Sequence, residues 1–293
     1  MSKIEEALQT ARRDRRSPLP PGQLNNAHAG DNEILTARPG FQLAEAEARQ
    51  HSASAIERMR KTHPLDKEAL ALYRLIYPEM GDQDVVQAFR ELRTKILQAT
   101  HSHNCVIMVT GVTPHSGSTF VARNLSVAFA FDAGKTALLL DCNLHDPSAH
   151  RLMREADAIG LTDFLDNTSM DLSRIIYPIG IERLRVIPVG RNRDIPTEYF
   201  TTGRMKLLIE SLRKRYPERF IVVDAPSMTN AADTQILAEW CDHVLLVVPY
   251  GKVVDAQIED CVKALDRKKM LGVVFNNEPR APAWWSRKVH SSA

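Results

Sequence analysis

Residues Thr110 to Phe120 read TGVTPHSGSTF. A loop of the form G-x-x-x-x-G-K-[ST] holds nucleotide phosphates on its backbone N–H groups. Its lysine neutralises the outer phosphates, and its hydroxyl holds Mg²⁺. Gly117 stands at the last glycine and Thr119 at the hydroxyl, but Ser118 occupies the place of the lysine. Pro114 completes the candidate phosphate-facing set with Gly117, Ser118 and Thr119. A helix beginning near Ser118 would still aim its N–H groups and its dipole at an anion. Two further stretches end in an acid, TALLLDCNLHDP at Asp141 and RFIVVDAPS at Asp224. Carboxylates at the tips of buried strands, facing a phosphate loop, position Mg²⁺ or its waters. Alone, either acid could equally cap the helix that follows its strand. Together with the loop they make Thr119, Asp141 and Asp224 the candidate metal set, and the two acids the only catalytic candidates. Asn276, after LGVVF, is either a base contact or the cap of the next turn.

The elements that must position these residues follow from the hydrophobic pattern. VIMVT, TALLLD, LRVIPVG, RFIVVDAP, HVLLVVPY and LGVVFNN are short apolar runs without alternation, as expected of strands covered on both faces. STFVARNLSVAFAF and GRMKLLIESLRKRY lie between them as helices, and DVVQAFRELRTKILQAT precedes them with Val86, Phe89, Leu92 and Ile96 at helical spacing. Strand–helix alternation predicts an α/β fold, a parallel sheet with helices on both faces, whose ligands bind beyond the carboxyl ends of the strands. Residues 1–82 read instead as a helical, partly flexible extension. It contains the Pro- and Asn-rich linker SPLPPGQLNNAHAGDN and the predicted helices QLAEAEARQ and DKEALALYRLIYPEM. The boundaries are therefore 1–82 for the extension, 83–279 for the α/β domain and 280–293 for a tail.

The 293 residues carry a formal net charge of +2, which does not point to nucleic acid. Cys105, Cys142, Cys241 and Cys261 are scattered without a C-x-x-C pair, which excludes a zinc site or a small disulfide framework. The N-terminal stretch lacks an apolar core of signal-peptide type, and no apolar run approaches the ~20 residues that cross a bilayer. A cytoplasmic location is expected.

Taken together, QAFRELRT, GVTPHSGST, LLLDCNLHDP and VVDAPS make the region from Gln83 to Asn277 resemble the bacterial tyrosine kinases (BY-kinases) of capsule and exopolysaccharide synthesis. That family carries an E-A-F-R-E-L-R-T helix, a loop close to S-x-x-P-G-E-G-K-[ST], a strand ending D-x-D-x-R and a strand ending D-x-P-P. The resemblance implies a P-loop fold of deviant-Walker type, ATP or ADP with Mg²⁺ as ligand, and a membrane co-polymerase that regulates chain length as partner. It implies self-association, or pairing with an active paralogue, through Gln87, Arg90 and Arg93. The departures fall on chemistry. Ser118 replaces the lysine, His115 and Ser116 alter the loop's tip, Asn143 replaces the second acid and His145 the arginine. Asn143 cannot accept a proton, so general-base help is lost there.

The family's C-terminal tyrosine cluster is also missing, since the last tyrosine is Tyr250. Trp284 and Trp285, beside Arg287 and Lys288, suit a membrane interface, a partner groove or packing on their own domain. The expectation is a catalytically impaired BY-kinase-like scaffold, peripheral at the inner membrane face through its partner, binding nucleotide weakly or not at all. Two rivals keep the enzyme: an active autokinase with Lys135 or Arg123 replacing the lysine, and a partition-type ATPase. The latter's extra signature lysine would fall at Thr113.

Overall fold

The computed structural model describes residues 63–101, 104–153, 158–191, 196–215 and 218–279. The predicted helices before residue 63, and Trp284 and Trp285, lie outside the described residues. Two helices open the described chain, α1 (Lys67–Leu72) and α2 (Gln83–Ala99). Strand β1 (Val106–Gly111) leads through the glycine-bearing loop into α3 (Ser118–Ala130), and β2 (Thr136–Asp141) follows. Next come α4 (Leu161–Asp166), β3 (Tyr177–Pro178), β4 (Leu184–Ile187), α5 (Pro196–Thr201) and α6 (Gly203–Arg215). The chain continues through β5 (Arg219–Asp224), α7 (Ala231–Trp240), β6 (His243–Pro249), α8 (Asp255–Ala264) and β7 (Met270–Asn276).

The seven strands form one sheet in the order β3-β4-β2-β5-β1-β6-β7. Every pairing is parallel except β3 with β4. The expected α/β fold is thus present, with one short antiparallel strand that the sequence pattern does not reveal. Successive side chains of a strand point to opposite faces, and they sort into two cores accordingly. Met108, Leu138, Leu140, Ile221, Val223 and Leu246 join the core shared with Leu161, Met205, Leu208 and Leu237 of α4, α6 and α7. Ile107, Val109, Leu139, Phe220, Val222 and Val247 face Phe89 and Ile96 of α2 and Val121, Leu125 and Phe129 of α3. Both faces are therefore covered by helices, which is why the central strands are apolar throughout. Phe129 stacks on Phe220 with ring centroids 4.2 Å apart. The edge strand β7 departs from this pattern. It is only half-buried, and Phe275 is 53% exposed.

Residues 63–82 are seated on the α/β domain rather than hanging from it. Leu75 and Ile76 are buried in the core with α2 and α3, and the Leu65 N–H donates to the Gly180 carbonyl at 3.1 Å. The helix expected over DKEALALYRLIYPEM covers only Lys67–Leu72. Asp66 caps its start by accepting from the Ala69 N–H at 2.7 Å. Arg74, in the left-handed region at φ 55°, turns the chain out of the helix soon after its end. Among the described residues no helix is long and apolar enough to cross a membrane.

Candidate nucleotide-type site

The strand order determines which loops meet. Because β5 lies between β1 and β2, Asp224 is the register partner of both Val109 and Asp141. The two strand-end acids therefore sit side by side, next to the loop that leaves β1. Both are about 1% exposed.

The loop from Val112 to Gly117 is held from within. The buried Ser116 hydroxyl donates to the Thr113 carbonyl and accepts from the Thr113 N–H at 3.1 Å. His115 adopts φ 60° and Gly117 φ 86°, so two left-handed residues make the turn into α3. For Gly117 this costs little. His115, where the resemblance places glycine, carries the strain of a side chain in that region, about 1 kcal/mol. Asn276 closes the loop from the sheet's far edge, its Nδ2 donating to the Ser116 carbonyl at 2.9 Å. A Cβ on Gly117 would meet that Nδ2 at 2.0 Å. Asn276 thus braces the loop, whatever else it contacts. Pro114 is exposed at the loop's tip, and Ser118 is the first residue of α3.

The Thr119 hydroxyl donates to Asp224 Oδ1 at 3.2 Å. Asp141 accepts the Asn143 N–H at 3.1 Å on Oδ1 and those of Ser148 and Ala149 at 2.9 and 2.8 Å on Oδ2. Burial pushes the Asp141 carboxyl up from the ordinary range, against those three N–H groups. Asp224 is pushed well up, first by burial and then by the charge of Asp141, while the Thr119 hydroxyl and Arg123 pull it back. Asn143 organises the turn after β2, its Oδ1 accepting from the Asp146 N–H at 3.2 Å. His145 turns to α7, its Nε2 lying 2.9 Å from Oδ2 of the buried Asp233.

Of the two cations considered as substitutes for the lysine, only Arg123 is placed near the acids. Lys135 immediately precedes β2, at the strand's amino end away from the loop, with its ammonium 5.7 Å from the centroid of Phe220. Arg123 is one helical turn after Thr119, and its Nη2 donates to the Ser148 carbonyl at 2.6 Å. Burial lowers the pKa of the guanidinium, and Asp224 and Asp141 hold it up.

Asn124 is a structural residue that the motifs do not reveal. Fully buried on α3, it accepts the Ile76 N–H at 2.7 Å on Oδ1 and donates through Nδ2 to the carbonyls of Arg74 and Phe120, each at 3.0 Å. An amide side chain beside the apolar stretch LSVAFA was the available signal. The predicted association residues sit on α2 in different settings. Gln87 is exposed and donates to Glu91 at 3.1 Å, and Arg90 is half-exposed. Arg93 turns inward, its Nη1 donating to the Ala128 carbonyl of α3 at 3.0 Å.

No protein-family model matches the chain. Over 195 residues, 66% of this chain, it is 28% identical to the tyrosine-protein kinase wzc of Salmonella typhimurium. It is 30% identical over 167 residues to the tyrosine-protein kinase etk of Escherichia coli, 57% of this chain and 22% of that protein. The solved kinase domain of Escherichia coli ETK aligns with a TM-score of 0.61 at 25% identity, covering 78% of this chain and 89% of that one. The BceF tyrosine kinase domain aligns with a TM-score of 0.60 at 26% identity, covering 75% and 93%. A cell-division ATPase MinD of Pyrococcus furiosus, at 20% identity and a TM-score of 0.51, shares the fold. The fold is that of a P-loop protein. Within that class, the chain is similar to the kinase domains of bacterial tyrosine kinases, in line with the resemblance of its motifs. The matched region spans about a quarter of the length of the curated relatives, 27% for wzc.

The family implies Mg²⁺ and ATP, and the residues present fit the two unequally. Thr119 and Asp224 are placed as a metal-holding pair would be. The phosphate side does not fit as an intact loop does. Ser118 brings no charge to the first turn of α3, and the side chain of Arg123 is bonded to the loop after β2.

Proposed function

We propose that this chain is a catalytically impaired BY-kinase domain that serves as a regulator or scaffold in an exopolysaccharide synthesis and export system. The observation that carries this reading is Ser118 at the start of α3, where the phosphate-neutralising lysine of such loops would stand. Removing one electrostatic clamp from a transition state costs on the order of 10²–10³ in rate. Asn143, which cannot take up a proton, removes a second contribution. ATP and ADP then bind weakly or not at all. The names of the relatives support the setting, one of them being described from a cps region of Klebsiella pneumoniae.

On this reading the domain lies at the inner face of the membrane, docked on a membrane co-polymerase. It pairs with itself or with an active kinase paralogue through the exposed face of α2, where Gln87 and Arg90 are available. Trp284 and Trp285 supply a membrane or partner contact. The second reading, an active autokinase, draws on one observation, that Arg123 stands near the acids. Incubation of the purified chain with Mg·ATP, alone and with an active BY-kinase, separates the two. The expected result is no phosphotyrosine on the chain alone. Autophosphorylation of the isolated chain, abolished by Asp224→Asn, would overturn the reading.

A further inference from the structure

The large apolar side chains left exposed among the described residues are Leu72, Leu207, Tyr250, Val254 and Phe275, and the last three gather at one place. Phe275 pairs in register with Val248, two residues before Tyr250, and the Tyr250 N–H donates to the Asn276 carbonyl at 2.8 Å. Phe275 shares its face of β7 with Val273, which packs in the core with Ile258 and Val262 of α8. Val254 immediately precedes α8 and is 64% exposed. The three form an apolar border where β6, β7 and the start of α8 meet, on the strand that ends the sheet among the described residues. Natural sheet edges of this kind are covered or charged. Acids flank the border, since Asp255, Glu259, Asp260 and Glu278 are exposed there against Lys252 and Lys263.

The chain that follows β7 complements this border. Asn277, at φ 60°, turns it out of the strand. Residues 280–293, outside the described residues, read RAPAWWSRKVHSSA, with two tryptophans, Arg280, Arg287 and Lys288, and no acid. Trp284 is five residues beyond Pro279, within about 18 Å of it even along an extended chain. So short a tether holds the tryptophans at an effective concentration on the order of millimolar, and a weak contact then suffices. Pro279 and Pro282 have no N–H to donate, which favours side-chain packing over an added strand. The acids beside the border attract this basic segment and repel an anionic membrane surface. We propose that residues 280–293 seat on their own domain, with Trp284 and Trp285 packed on Tyr250, Val254 and Phe275, and with Arg287 and Lys288 against the acids of α8. The inference goes beyond the non-catalytic reading and does not depend on it. A membrane or partner that takes the same tryptophans competes with this seat, and in doing so uncovers the strand that carries Asn276.

The test uses the full-length chain, first without vesicles or partner. Of its three tryptophans, Trp240 is half-buried, its Nε1 donating to the Phe200 carbonyl at 2.9 Å. Subtracting the emission of Trp284→Phe/Trp285→Phe therefore isolates the tail. Acrylamide should quench that difference emission roughly 3-fold less steeply than it quenches a free peptide of residues 280–293, because a packed indole is shielded. The shielding should persist on serial dilution. Phe275→Ser should bring the quenching to that of the peptide, and Asp255→Lys should raise it part of the way. If Phe275→Ser does not fold, Tyr250→Ser/Val254→Ser, outside the strands, takes its place with the same expectation. Peptide-like quenching in wild type would overturn the proposal. So would shielding that is lost on dilution, which would seat the tail on a second copy, or shielding that the border variants leave intact. Shielding gained only on adding phosphatidylglycerol vesicles would assign the tryptophans to a lipid surface and overturn it as well.

Discussion

At the scale of single residues, most of the polar side chains at this site brace a loop or a chain segment. Asn124 bonds both strands of the bend at Arg74 and Ile76. Asn124→Ala should leave a buried N–H and a carbonyl without partners and destabilise the fold by about 2–4 kcal/mol. Hydrogen exchange should then rise selectively over residues 73–80. Gly117→Ala should cost about 1–3 kcal/mol from its left-handed backbone alone. It also displaces Asn276 from the Ser116 carbonyl, and denaturant unfolding measures the sum. The thiols offer a check on burial. Burial pushes Cys105 and Cys241 up to about 12, Cys142 far up, and Cys261 up to a lesser degree. Since the thiolate is the reactive form, native protein at pH 8 should label slowly with a thiol reagent. Cys261, on α8, should label first and the other three only on unfolding.

At the scale of elements, α2 divides into a face that holds the fold and a face that is available. Arg93 ties α2 to the carboxyl end of α3, where the last carbonyls lack partners within the helix. Arg93→Ala should therefore lower stability by about 1–3 kcal/mol, which confounds any association measurement made with it. Arg90, half-exposed, should affect only association. Arg90→Ala should melt like wild type yet lose co-purification with an active paralogue, and unchanged co-purification would count against pairing through α2. The central strands and α2, α3 and α6 were legible in the sequence because both periodicities are strong where two cores are filled. Other elements were hidden for physical reasons. β3 is two residues long, too short to show a period. The segment after α1 is ordered by Asn124, more than forty residues away, and no local pattern encodes that contact. The edge strand β7 reads as apolar as the central ones although, among the described residues, only one of its edges is paired.

At the scale of the whole molecule, the acids of the site were legible as strand ends, but their adjacency depends on strand order, which no single motif encodes. The sequence identified the missing lysine without showing what stands in its place. Arg123 and Lys135, both candidates from the sequence, are told apart only when α3 is laid against the loop after β2 and Lys135 is found beside Phe220. The central claim is that this P-loop domain no longer holds a nucleotide for transfer. Calorimetric titration of the full chain with ATP and ADP, with and without Mg²⁺, beside Ser118→Lys, tests it most directly. A charged hydrogen bond of about 1.5–3 kcal/mol corresponds to a gain of roughly 10- to 150-fold in affinity. The expected result is millimolar or undetectable binding by wild type and at least a 10-fold gain for Ser118→Lys. Micromolar binding of Mg·ATP by wild type, without improvement from the lysine, would contradict the account.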